Sequence, residues 1–450
     1  MEFELSKEYA EWLKSAIENQ DTALIAESMA NANPTDISSL LYEFNTQESK
    51  YIIELVPKEV GASIINHLDE DTRTKFLKNF TPQEIAQFID YLDSDDAVDI
   101  LNELPLVFRE ETIGALEDEE QSRYIQELLR YDEHTAGGLM AKELIKANIN
   151  WTIVQCIDEI RRQAENVQKI YSVYVVDQKG KLLGRVSLKK IILAEDHAKI
   201  ADIYDPEIIT VESHMEEREV ADIMQKYDLE AVPVVNLQGK LIGRITIDDI
   251  LDVITDIQEE ERQIMAGISE DVEEDDSVWM LTRARLPWLI IGIFGGLIAA
   301  EFYGLFEGDI AIIPALALFT PLITATGGNV GIQSSSIILQ SLANKSAFEE
   351  SFFQRIFRMI LVAFLNGIVI ASIVFGVVLL LGKPFTLAAV VGLALFSVVI
   401  LASFLGTITP LILDRLGFNP ALAAGPFITT ANDLLGLAVY FSVAHLLYSL

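Results

Sequence analysis

The chain has 450 residues, half of them apolar, and its 68 acidic and 33 basic side chains give a net charge of −35. Seven acids and seven bases from Leu281 onward cancel, so all of that charge lies in residues 1–280. This excludes nucleic acid and anionic lipid as partners of the first part and makes cations its natural counterpart; the single Cys156 excludes an internal disulfide framework.

From Met1 to Lys14 the sequence is acidic and amphipathic, without the basic-then-apolar pattern of a secretory signal, which predicts a cytosolic first half. Residues 1–135 read as an α-helical domain. Apolar residues recur every twelve positions at Leu68, Phe80, Leu92, Leu104 and Leu116. Each precedes a residue suited to start a helix: Asp69, Thr81, Asp93, Pro105 and Glu117. That spacing predicts stacked helices in a superhelical array.

Residues 136–254 contain a duplication. The stretch from Tyr171 to Ser187 returns 59 residues later from Glu230 to Thr246, each copy reading strand, glycine turn (Gly180, Gly239), strand and helix. This resembles a tandem pair of α/β CBS domains, regulatory modules that often bind adenosine nucleotides. In the usual nucleotide pattern a Ser or Thr is followed three residues later by an Asp that holds the ribose. Thr246 and Asp249 keep it, whereas Ser187 is followed by Lys190, so the resemblance implies at most one site for a nucleotide such as ATP.

Acid placement continues the theme. Asp248, Asp252 and Asp256 fall at i, i+4 and i+8 of one helical face, with Asp249 beside them. Like charges at that spacing cost a helix a few tenths of a kcal/mol per pair, which a bound divalent cation reverses. Asp95, Asp96 and Asp99 form a similar set, and an acidic connecting helix over 255–280 runs from Glu259-Glu260-Glu261 to Asp275-Asp276 and into the first apolar segment. Each run alone reads as a solvated face. Oxygen donors without His or Cys suit Mg²⁺, Ca²⁺ or Mn²⁺ and not zinc.

Residues 281–450 hold five segments long and apolar enough to cross a bilayer: Leu286–Phe306, Ile310–Leu342, Met359–Leu381, Phe385–Leu413 and Phe418–Leu450. The second is too long for one straight span, and its Gly327-Gly328-Asn329 predicts bending or local unwinding. Arg283, Arg285, Lys345, Arg355, Arg358 and Arg415 assign their ends to the cytosol, which places the C-terminus outside. Asp433 lies near the middle of the fifth segment, where a charge costs about 2.5–3.5 kcal/mol, so it faces water or a cation, or else is protonated between helices. The polar string from Thr324 to Ser336 reads either as small-residue packing or as the lining of a path.

The order of parts, with Pro321-Leu-Ile-Thr-Ala-Thr-Gly-Gly-Asn-Val-Gly-Ile-Gln333 and Asn419-Pro-Ala-Leu-Ala-Ala-Gly-Pro-Phe-Ile-Thr-Thr-Ala-Asn-Asp433, is similar to the MgtE family of magnesium channels. The resemblance implies a homodimer in the plasma or inner membrane, a Mg²⁺-selective pore between its two membrane halves for magnesium uptake, Asp433 as the pore carboxylate, and Asn329 and Gly425 along the path. It further implies that Asp95, Asp96, Asp99, Asp228, Asp248, Asp249 and Asp252, with Asp256 and Glu259 of the connecting helix, bind cytosolic Mg²⁺ and close the pore. Co²⁺ and Mn²⁺ stay open as alternative ions. An ion-coupled secondary transporter and a membrane-bound nucleotide sensor without transport remain as other readings. No nucleophile with a base, phosphate loop or His/Cys metal set points to an enzyme.

Overall fold

Helix caps spaced along the sequence set the N-terminal architecture. The computed structural model describes residues 5–30, 32–164, 167, 169–270, 272, 274, 276–343, 352–423 and 425–448; Asp275 of the acidic run and Lys345 between the second and third spans lie outside these described residues. It divides into two units, Met1–Ile254 and Thr255–Leu450.

The first unit opens with helices α1 (Lys7–Glu18), α2 (Thr22–Met29), α3 (Pro34–Leu41), α4 (Thr46–Leu55), α5 (Lys58–Asn66), α6 (Glu70–Leu77), α7 (Pro82–Ile89), α8 (Ser94–Asn102), α9 (Leu106–Gly114) and α10 (Glu119–Leu128). Asp69 caps α6 by accepting from the Thr72 amide at 2.8 Å, and Thr81 and Glu84 cap α7 reciprocally. Asp93 and Pro105 precede α8 and α9, while α10 is capped by Asp118, one residue beyond the expected Glu117. Helices two apart pack together, α3 on α5, α5 on α7, α7 on α9 and α8 on α10, which is the stacking of a superhelical array.

Two copies of one α/β motif follow: β1 (Ile145–Asn148), α11 (Ile153–Gln163), β2 (Val173–Val176), β3 (Leu182–Val186), α12 (Leu188–Leu193) and α13 (Ile200–Ile203), then β4 (Val211–Glu212), α14 (Glu217–Tyr227), β5 (Ala231–Val235) and β6 (Leu241–Thr246). Each forms a three-stranded sheet, ordered β1-β2-β3 and β4-β5-β6, with one parallel and one antiparallel pairing. The register shifts at Val175/Val176 and again at Val234/Val235, so even the irregularity repeats. The turn glycines Gly180 and Gly239 adopt φ of 80° and 74°, a region that disfavours a Cβ. The second copy shares one apolar core with the helical array, through Leu101 and Ile125 on one side and Met224, Val232 and Ile245 on the other. The first copy keeps its own core around Val173, Cys156 and Val186.

Helix α15 (Ile247–Ala266) leaves β6 directly and ends inside the second unit. Among the described residues, the acidic connection is helical to Ala266 and again from Val278. Gly267, at φ 81°, ends the first stretch: the Gly267 amide donates to Ile264 and the Ile268 amide to Gln263.

Among the described residues of the second unit, five helices are long and apolar enough to cross a membrane: α16 (Val278–Gly304), then, after the short α17 (Glu307–Ile312), α18 (Ala315–Ala343), α19 (Phe352–Leu380), α20 (Phe385–Arg415) and, after a 3-10 turn at Pro420–Ala423, α21 (Gly425–Tyr448). Helix α20 packs against α18, α19 and α21, and many of its residues are small or β-branched. The expected unwinding at Gly327-Gly328-Asn329 does not occur: α18 runs through it, and the break falls before Pro314. A Cβ on Gly327 would lie 3.1 Å from Val398, and one on Gly406 would strike the Gly331 carbonyl, so these glycines serve close helix packing.

Candidate functional site

In the first unit, the acids that the sequence placed in separate runs converge where α8 meets the second α/β repeat. Asp93 lies at the N-cap of α8, and Asp95 and Asp96 in its first turn, where the helix dipole favours negative charge. Ser94 binds the lead-in to β1: its amide and hydroxyl donate to Glu143 Oε2 at 3.1 and 2.8 Å, and its hydroxyl accepts from the Lys142 amide at 2.9 Å. From β6, the Arg244 guanidinium donates to Asp93 Oδ2 at 3.3 Å and to the Lys169 carbonyl at 3.0 Å, and lies over Tyr171. The Thr246 amide and hydroxyl donate to Asp249 Oδ2 at 3.0 and 2.7 Å, fixing that carboxylate at the start of α15.

Crowding these carboxylates raises their affinity for positive charge. Burial, with repulsion from Glu143, pushes Asp93 up to about 7 although Arg244 opposes it. Burial and the neighbouring Asp249 and Asp96 carry Asp95 well above the usual range. Burial also lifts Asp249, to about 6, against the hydrogen bonds from Thr246. Asp96 is raised by burial despite a hydrogen bond from Asn66 and the charge of Arg73, and Asp252 by burial and Asp248. A divalent cation supplies what such a cluster lacks.

Asp99, exposed on α8, stands at the cluster's edge, where desolvation of its carboxyl and repulsion from Asp96 push it up to about 7. Not every predicted acid joins the cluster. Asp228 follows α14 in the left-handed region, φ 52°, with its backbone amide closing the helix. Asp248 and Asp252 sit exposed at the cluster's edge, Asp256 is exposed further along α15, and Glu259 pairs with Arg262 at 2.5 Å. Thr246 and Asp249, expected to hold a ribose, are bonded to each other among the carboxylates. Three members escaped sequence reading: Asp93 was seen only as a helix start, Glu143 lies in no acidic run, and Arg244 belongs to the repeat motif.

In the second unit, Asp433 is half-buried on α21, and its carboxylate has no hydrogen bond or ion pair among the described residues. The polar string of α18 divides between two faces. Gly327, Gly328, Gly331, Ser334 and Ser335 are buried, with the Ser334 hydroxyl 3.0 Å from that of Ser403, whereas Asn329 and Gln333, one turn apart, are exposed. The packing reading thus holds for the buried glycines and serines, while Asn329 and Gln333 stay on an exposed face. Tyr440 ties α21 to α18 by donating to the Leu316 carbonyl at 2.9 Å. Gly425 opens α21 at φ 61°, and a Cβ there would lie 2.6 Å from the Met265 carbonyl at the end of α15. Pro426 lies against Gly267, and the chain beyond returns to α16 through a 2.9 Å bond from the Ser269 amide to the Ala284 carbonyl and an Arg283–Glu270 pair.

Comparison with known proteins places this geometry. Residues 320–443 match the family described as divalent cation transporter, residues 32–134 the MgtE intracellular N domain, and residues 136–197 and 200–256 the CBS domain. The chain is 31% identical to the magnesium transporter MgtE of Thermus thermophilus over 97% of both chains, and 36% identical to that of Enterococcus faecalis over 72% of both. A crystal structure of the cytosolic domain of the Mg²⁺ channel MgtE in complex with ATP matches with a TM-score of 0.51 and 31% identity, covering 54% of this chain and 99% of that one. These relatives are transporters and not enzymes. With a helical N domain, paired CBS domains and five apolar helices, the chain belongs to the MgtE family of magnesium transporters.

Proposed function

We propose that this protein is a Mg²⁺ channel of the plasma or inner membrane, acting as a homodimer and closed by cytosolic Mg²⁺ bound to the acids of its soluble unit. One observation carries the reading: Asp433, a carboxylate without a partner among the described residues and within an apolar membrane helix, is costly unless it meets water or a cation. Two copies of it, one per chain, suit an ion that sheds water reluctantly, because a hydrated Mg²⁺ is held through its water shell. The exposed amides of Asn329 and Gln333 support the pairing, since lipid is a poor neighbour for both. Arg283, Arg285, Arg355, Arg358 and Arg415 favour a cytosolic soluble unit and an external C-terminus.

Regulation follows from charge. The cluster at Asp95, Asp96, Asp248, Asp249 and Asp252 offers only oxygen donors, which suits Mg²⁺. With the ion bound, the helical array closes on the second repeat; without it, the carboxylates repel. Helix α15 links this event to the pore, because it begins at Asp248 and Asp249 and its last turn meets Gly425. A similar protein has been solved with ATP; here a cleft lined by Ser172, Tyr174, Arg185, Glu207 and Pro233 offers a guanidinium for a phosphate, and we assign the nucleotide to it in preference to Thr246 and Asp249.

The test is Mg²⁺ flux into vesicles holding the purified protein. Flux should persist when proton and sodium gradients are collapsed and should stop as Mg²⁺ rises on the cytosolic side. Asp248→Ala with Asp252→Ala should raise the Mg²⁺ needed for closure about tenfold. Flux that disappears with either gradient would establish a coupled transporter instead.

A further inference from the structure

One residue before Asp433, the amide of Asn432 is buried with nothing to accept its protons. Asn432 is 2% exposed, and its Nδ2 has no hydrogen bond among the described residues. A buried donor without an acceptor weakens a fold, and an apolar side chain in its place would carry no such cost. Stability therefore does not account for an amide at this position, and its contacts point to another role. The amide lies on α18 at Gly331, where a built Cβ would strike Nδ2 and lie 2.8 Å from Ile428 Cγ2. Only a residue without a side chain admits that approach.

The seat is closed on both sides. One turn earlier on α18, Cβ atoms on Gly327 and Gly328 would lie 3.7 Å from the Asn432 carbonyl oxygen and 3.4 Å from Thr429 Cγ2. Behind Gly331 stands α20, because a Cβ on Gly406 would strike the Gly331 carbonyl. Helix α18 cannot retreat from α21 at this level, so Asn432 fixes both the spacing and the relative height of the two helices. Gly331 lies between the exposed Asn329 and Gln333, and Asn432 precedes Asp433. With about 5.4 Å of rise per turn, the contact keeps Asp433 within about one turn of both along the helix axes.

We propose that Asn432 is a positioning residue: seated on Gly331, it holds Asp433 level with Asn329 and Gln333, so that one hydrated cation meets all three. The inference rests on the reading of Asp433 as the carboxylate that the ion meets, and adds to it the contact that sets its place. An amide suits the seat because it is flat and short, and meets the bare face of Gly331 where a branched side chain would push α21 away. The unpaired N–H is what that geometry costs.

The experiment is Mg²⁺ flux into vesicles holding the full-length protein, with Mg²⁺ on the cytosolic side kept low and the thermal unfolding of each variant recorded. Asn432→Ala should raise the half-saturating Mg²⁺ about tenfold, while maximal flux and unfolding temperature stay near those of the unsubstituted protein. Gly331→Ala, which presses on the amide, should raise it at least as far. Together the two exchange a methyl for the amide, and half-saturation should return to within about threefold, with Ile428 accounting for the remainder. Asn432→Ala should bring no such relief to Gly406→Ala, whose clash is with the backbone of α18. Should Gly331→Ala not fold, Asn432→Ala decides alone. With flux abolished in Asp433→Ala, an unchanged half-saturation in Asn432→Ala, or a lower maximal flux as its only effect, overturns the positioning role. So does a double variant no better than Gly331→Ala, or equal relief of Gly406→Ala. Normal flux in Asp433→Ala overturns the pore reading and this inference with it.

Discussion

Asp93, Asp95, Asp96 and Asp249 of the soluble unit stand close enough to raise one another's affinity for positive charge, and Arg244 and Arg73 answer only part of it. The membrane unit places a carboxylate, Asp433, half-buried on α21 with no base paired to it among the described residues. The difference matches two tasks. Many carboxylates crowded at one joint gain strongly from an ion and repel when it leaves, which suits the sensing proposed for them. A carboxylate with no paired base attracts an ion without trapping it, which suits the conduction proposed for it.

The comparison breaks first at Asp433. Asp433→Ala should reduce Mg²⁺ flux to that of protein-free vesicles, a loss of a hundredfold or more, while leaving Mn²⁺ bound to the soluble unit. Normal flux in this variant, measured with a Mg²⁺ indicator, would move the pore elsewhere.

A smaller effect tests the sensor. Asp93 and Asp249 bind protons in the folded protein at about 7 and about 6, above the ordinary 3.8. A carboxylate raised on folding contributes stability at low pH that is lost as pH climbs through its folded value. For Asp93, whose side chain is 21% exposed, this amounts to about 2–4 kcal/mol between pH 4 and 7. In EDTA, the soluble unit should therefore unfold at a lower temperature at pH 7.5 than at pH 5. Saturating Mg²⁺ should shrink that difference, because the ion stabilises the charged carboxylates. Calorimetry at both pH values, with and without Mg²⁺, measures it; a pH-independent metal-free transition would mean that the carboxylates do not repel.

Much of this was legible before any coordinates. The twelve-residue spacing gave the starts of α6 to α9, because capping is a local affair of one side chain and the next turn. The repeat predicted both sheets down to Gly180 and Gly239, since each strand pairs within its own copy. Asp433 stood out because charge in an apolar helix is costly wherever its neighbours lie. The membership of the acidic joint was not legible: Glu143 meets Ser94 across 49 residues and Arg244 meets Asp93 across 151, and no periodicity records such contacts. Glycine misled for a related reason. At Gly327 a helix break and a close helix contact ask for the same residue, and only the position of Val398 distinguishes them.

Gly425 sharpens the link between the two tasks. At φ 61°, an alanine there costs about 1–2 kcal/mol of backbone strain, and its Cβ would press on the Met265 carbonyl from 2.6 Å. Gly417 separates these causes, because it has φ 76° but nothing within 4 Å of a built Cβ. Both substitutions strain the backbone, and only Gly425→Ala strikes the end of α15. If that contact holds the pore shut, Gly425→Ala should raise the open fraction at saturating cytosolic Mg²⁺ about tenfold in patch recordings, with Gly417→Ala near the unsubstituted protein. Equal effects would assign the change to backbone strain, leaving α15 without a seat on the pore helix and the sensor without its route to the gate.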